Sequence, residues 1–173
     1  EDGQISNHIK SASIVNGSMI DSPEDEISTS GNKTAWGTVD NNPVSYFSFN
    51  SWDGGGYNNL GNHGLFYEFD EAYEIQDIAL QEVSVQGTSY GYTNIRYWDE
   101  ENEGKQATFS QLGMRRMTDS QNRVYYRIHL PKKIKTRKIQ FGIARSVASG
   151  TITISEVYFY HYDSLEDEIM GLY

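Results

Sequence analysis

Residues suited to holding a neutral, hydroxyl-rich ligand are concentrated in two stretches of this chain. Ser51-Trp52-Asp53-Gly54-Gly55-Gly56-Tyr57-Asn58-Asn59 has the composition of a loop yet carries Trp and Tyr. A sugar offers C–H faces that stack on aromatic rings and hydroxyls that need amide, carboxylate or guanidinium partners. Its pocket therefore mixes an apolar platform with a few polar groups. Trp52 and Tyr57 can form that platform, with Asp53, Asn58 and Asn59 alongside. A second aromatic loop, Thr88-Ser89-Tyr90-Gly91-Tyr92, can add Tyr90 and Tyr92, and Arg145 can add a charged donor. The competing role is packing, since a Trp in a long loop can fold back as a lid over the core. Trp36 and Trp98 are read as core or rim residues.

Other chemistry has little support. The four histidines, His8, His63, His129 and His161, show no clustered ligand spacing, which argues against zinc, and His129 reads as a plain surface residue. With no cysteine, disulfides, thiolate catalysis and zinc-thiolate sites are excluded. No nucleophile elbow, phosphate loop or dinucleotide fingerprint occurs. Carboxylates are so plentiful that a pair at glycosidase separation would mean nothing. Pro131-Lys132-Lys133-Ile134-Lys135-Thr136-Arg137-Lys138 is the one basic cluster. It reads as a solvated turn whose lysines protect a strand edge, with contact to sulfated glycans or an anionic surface as the alternative. Asn16-Gly17-Ser18 and Asn32-Lys33-Thr34 match the short, common glycosylation sequon.

A formal net charge of −10 argues against nucleic acid as partner, because phosphate binding needs a basic face. It suits neutral ligands and cations. No apolar run approaches the ~20 residues of a membrane span. The 173 residues suit one domain with a tail, and 13 Tyr against 3 Pro favours strands.

The elements that must carry these residues are short strands. Tyr46-Phe47-Ser48-Phe49 is one; Leu65, Tyr67 and Phe69 alternate with Phe66 and Glu68; Ile78 and Leu80, Val83 and Val85, and Ile95 and Tyr97 follow. Val124, Tyr126, Ile128 and Leu130 alternate again, as do Ile139, Phe141 and Ile143. Period two in many short segments separated by turn residues marks an all-β sandwich or jelly roll. In the last strand the apolar phase passes from Ile152 and Ile154 to Val157 and Phe159, a slip of one residue at Ser155-Glu156. A β-bulge does this and throws a side chain, here a carboxylate, out of the ladder. The module is expected to span residues 1–162. Residues 163–173, with a capping residue and an acidic first turn, are expected to be a linker or the start of a helix into a following domain.

In order and spacing these segments resemble the discoidin, or coagulation-factor C-type, superfamily, which includes bacterial galactose-binding-like carbohydrate-binding modules. The resemblance rests on Ser30-Gly31-Asn32-Lys33-Thr34-Ala35-Trp36, on Leu65 to Asp70, on Ile75 to Leu80, on Ile95-Arg96-Tyr97, on Arg137 to Phe141 and on Ile154 to Phe159. It departs at Ser30, where the family has Asp, in a loop one residue shorter before Trp36, and in a longer Gly/Asn-rich segment from Asn50 to Gly64. The resemblance implies a galactose-binding-like jelly-roll sandwich with ligand held among loops at one end. It also implies a structural calcium where the Ser30–Trp36 loop meets the last strand, with Asn32, Thr34 and Glu156 as ligands. Calcium takes about six to eight oxygens, many of them carbonyls. The bland alternative is a tight turn at Gly31-Asn32, with Glu156 bonded to backbone amides. The expected function is non-catalytic glycan binding within a larger secreted or cell-surface bacterial protein. A protein- or surface-adhesion module of the same fold, and a small jelly-roll glycan-active enzyme, are the competing readings.

Overall fold

The computed structural model describes residues 4–14, 19–21, 31–32, 35–42, 44–50, 65–82, 90–145 and 151–161. They form ten strands: β1 (Ile9–Ile14), β2 (Met19–Asp21), β3 (Gly31–Asn32), β4 (Ser45–Asn50), β5 (Leu65–Glu82), β6 (Tyr90–Asp99), β7 (Lys105–Gly113), β8 (Arg115–Thr118), β9 (Val124–Arg145) and β10 (Thr151–Tyr160). All described pairings between strands are antiparallel except β3 on β4. The strands predicted from alternation are present, save that Val83 and Val85 lie outside the described residues.

β5 and β9 turn this single hydrogen-bonded ladder into two layers. Their pairing is interrupted between Glu68 and Tyr73, and again where Ile75↔Ile134 gives way to Asp77↔His129. The residues at the interruptions, Asp70, Glu71, Pro131, Lys132 and Lys133, are exposed. Proline fits there because a bend asks no ladder N–H of it. The expected solvated turn is thus a bend inside β9, with Ile134 and Thr136 buried between the lysines.

Each long strand folds back on itself. Tyr67 and Phe69 pack edge-on against Phe159 at 5.4 and 5.2 Å, and Phe159 is registered on Ile78. The first half of β5 therefore faces its second half. One layer holds β1, the start of β5, the end of β9, β6 and β7. The other holds β4, β10, the end of β5, the start of β9 and β8.

Between the layers lie Leu65, Tyr67, Phe69, Ile78, Leu80, Ile95, Ile128, Leu130, Ile139, Ile154, Val157 and Phe159, all fully buried. Each large side chain so enclosed stabilises the fold by roughly 1.5–3 kcal/mol. The Tyr67 hydroxyl is satisfied by Thr38 Oγ1 at 2.7 Å, as a buried phenol requires. The phase slip in β10 is a bulge: register moves from Ile154↔Glu82 to Glu156↔Gln81.

Fold-back also sorts the strand ends. Tyr90 opposes Arg145, Leu65 opposes Phe141, Asn50 opposes Thr151 and Glu82 opposes Ile154. These termini share one end of the sandwich, and residues 51–64, 83–89 and 146–150 connect them. At the other end Gln4 bridges Tyr160, and the Ile5 N–H donates to Phe159 O at 3.0 Å.

Outside the second layer His129 is no plain surface residue. Its Nδ1 lies 2.7 Å from Oδ1 of the fully buried Asp77, and Arg127 Nη2 lies 3.4 Å from the same oxygen. A buried carboxylate needs such partners.

Candidate functional site

The bulge delivers Glu156 to a pocket of oxygens. Its carboxylate is 2 % exposed and meets Asp40, with the backbone N–H groups of Asn41 and Asn42 bonded to it. Asp40 Oδ2 is 2.6 Å from Ser45 Oγ, which also lies 2.9 Å from Asn42 O and 3.3 Å from Gly37 O. One hydroxyl proton thus faces three acceptors. The Asn42 N–H donates to Asp40 Oδ1 at 3.0 Å, and Asn41 turns the chain at φ 58°, a conformation Asn tolerates.

Glu156 Oε1 is buried with no hydrogen-bond partner. Burial first, then the Asp40 carboxylate, pushes the Glu156 carboxyl up to about 9. A cavity of about 270 Å³, lined by Glu156, Asn41, Val39 and Gln4 among others, opens onto this carboxylate. Two close carboxylates, carbonyls and a hydroxyl form the donor set of a hard cation. Among the described residues no three His, Cys, Asp or Glu side chains cluster, so most ligands there would be backbone or hydroxyl oxygens.

Asp40, Asn42 and Ser45 escaped the sequence reading. The signal was present in Asp40-Asn41-Asn42-Pro43, a turn sequence rich in side-chain oxygens. Of the expected metal ligands, Glu156 is at this centre. Thr34 lies outside the described residues, and Asn32 is described only by its backbone, paired with Tyr46 in β3–β4.

At the loop end, the structure sets Tyr90 and Arg145 opposite each other across β6 and β9, as described by their backbones. Tyr92, half-buried, stands next along β6, paired with Ala144 and Gly113. Trp52, Asp53, Tyr57 and Asn58 lie outside the described residues, as do His63 and residues 163–173. Trp36 packs against the core, and Trp98, half-buried, lies at the rim against Phe66 at 5.5 Å, both as expected.

No protein-family model matches the sequence, and no curated protein matches it. Solved structures do match in fold. A family 32 carbohydrate-binding module of Clostridium perfringens NanJ, in complex with galactose, is 14% identical with a TM-score of 0.54, covering 91% of this chain and 98% of that one. The fold is the galactose-binding-like sandwich. A second C. perfringens family 32 module, in complex with GalNAc-β-1,3-galactose, is 12% identical with a TM-score of 0.53 over 90% of this chain and 96% of that one. The paired modules of C. perfringens ZmpB, in complex with GalNAc, are 16% identical with a TM-score of 0.54 over 98% of this chain and 39% of that one. These identities make the likeness one of galactose-binding-like architecture. Among the described residues no helix is long and apolar enough to cross a membrane.

Proposed function

We propose that this chain is a non-catalytic carbohydrate-binding module of a larger secreted or cell-surface protein. The observation that carries the reading is the convergence at the loop end. The register pair Tyr90–Arg145 and the strand termini flanking residues 51–64 share one end of a galactose-binding-like sandwich. Trp52, Asp53, Tyr57 and Asn58 belong to that 51–64 connection in the sequence, so on this reading they, Tyr90 and Arg145 would serve one shallow site. Galactose and GalNAc, bound by the modules similar in fold, are the first sugars to try. Such a site gains strength from avidity within its parent protein.

Calcium is part of the proposal. Asp40, Ser45, Asn42 and Glu156 would hold it, supported by the orphaned Glu156 Oε1 and the excess of acceptors around Ser45. When bound it supplies charge compensation and pins the 35–42 segment to β10.

A glycan array run with calcium and with chelator, beside Trp52→Ala, tests the reading. Binding to a galactose-type glycan that Trp52→Ala abolishes is expected. A blank array from folded protein would sink it.

A further inference from the structure

A cleft of about 410 Å³ lies on the outer face of the first layer, lined by Glu68, Trp98, Glu100, Gly104, Arg137 and Lys138. Trp98 stands eight residues along β6 from Tyr90, roughly 26 Å at the rise of a strand. The cleft is therefore remote from the loop end.

Two consecutive residues of a regular strand point to opposite faces, yet Arg137 and Lys138 line the same cleft. The cause is a bulge. Register between β6 and β9 passes from Tyr97↔Ile139 to Asp99↔Thr136, leaving one extra residue on β9. Bulges re-aim side chains in this way and recur at functional sites.

Buried Thr136 fastens the irregularity. Its Oγ1 lies 2.8 Å from Trp98 O and 2.6 Å from Lys138 O, and accepts the Lys138 N–H at 3.1 Å. Phe66 meets the Trp98 ring nearly at right angles, at 77°, which fixes the indole beside the two cations. Among the described residues neither Arg137 nor Lys138 makes an ion pair.

We propose that this cleft is a second saccharide site, one that takes an anionic sugar unit. The carboxylate or sulfate lies on Arg137 and Lys138, the sugar ring packs against Trp98, and hydroxyls donate to Glu68 and Glu100. A guanidinium fork matches a planar carboxylate or a sulfate edge. With a chain of net charge −10 behind it, the attraction is local and screened by salt. The site does not depend on the loop-end reading.

The test is calorimetry and affinity electrophoresis with oligogalacturonate and, separately, with a sulfated glycosaminoglycan. Wild type, Arg137→Gln/Lys138→Gln and Trp98→Ala are compared. Wild type is expected to bind at least one of the two at low salt. Affinity should fall at least about tenfold in the double variant and in Trp98→Ala, and also at about 0.5 M salt. Excess galactose should not compete. Binding of galacturonate assigns the anion as carboxylate, and binding of the glycosaminoglycan as sulfate. Retention of neither polymer, or a double variant that binds like wild type, overturns the proposal. The double variant changes only outward-facing side chains, so its folding is expected to be intact. Failure of Trp52→Ala to affect galactose-type binding would count against the loop end alone.

Discussion

Replacing Glu156 by Gln, which cannot ionise, tests the buried carboxylate pair most directly. The Glu156 carboxyl is pushed up from 4.5 to about 9 in the fold, so the native chain holds a proton that the unfolded chain releases between those values. Stability is then full below about pH 4.5 and is lost as pH rises toward 9. At 1.36 kcal/mol per unit the ceiling is about 6 kcal/mol. Relaxation and water reduce it, and a third of that ceiling, about 2 kcal/mol, still lowers Tm by roughly 4–8 °C for a domain of this size.

The proposed calcium would act in the opposite direction, because it would bind the deprotonated pair. At a hundred times its Kd it would add about 2.7 kcal/mol, with an effect that grows with pH. Melting curves at pH 5, 7 and 9, with chelator and with millimolar calcium, check both limbs. Chelated wild type should lose Tm with pH more steeply than Glu156→Gln, and calcium should raise Tm at pH 8 in wild type only. Equal slopes for the two proteins, or no calcium response in wild type, would refute the reasoning.

Tyr67→Phe removes the buried bond to Thr38 and should cost about 1 kcal/mol, read as a lower urea midpoint at unchanged m-value. Asp77→Ala strands Arg127 beneath the outer face and should cost about 3 kcal/mol or more, with Asp77→Asn milder by the same assay. Arg145→Ala should weaken galactose-type binding about tenfold while Tm stays within about a degree. Calorimetric titration beside a melting curve separates those two effects.

How much of this was legible in the sequence follows from the range of each signal. Alternation is local, and Leu65-Tyr67-Phe69 and Val124 to Leu130 announced their inward faces. The slip from Ile154 to Val157 announced the bulge, because a strand cannot otherwise change phase. The fold-back of β5 and β9 left no local mark, since Asp70-Glu71 and Pro131-Lys132-Lys133 look like turns between separate strands. β7 was missed because, as a largely exposed strand, it carries polar residues where a core strand would be apolar. The oxygen pocket was half seen: Glu156 was named, but its partners lie more than a hundred residues away in sequence. Asp40 became meaningful only when β10 docked beside β4. Likewise Arg137 and Lys138 read as a solvated run until the bulge turned both into one cleft.

The bridge between Gln4 and Tyr160 bears on how such a module is mounted. The two described ends of the chain lie side by side at the base of the sandwich, and the strand termini that include Tyr90 and Arg145 lie at the far side. A protein carrying this unit can splice it into a surface loop as readily as string it between neighbours, because the attachment points nearly coincide. In either arrangement the end that holds the Tyr90–Arg145 pair would point away from such a host. The Trp98 cleft lies toward the attachment end, so an anionic glycan held there would run close to the host's own surface.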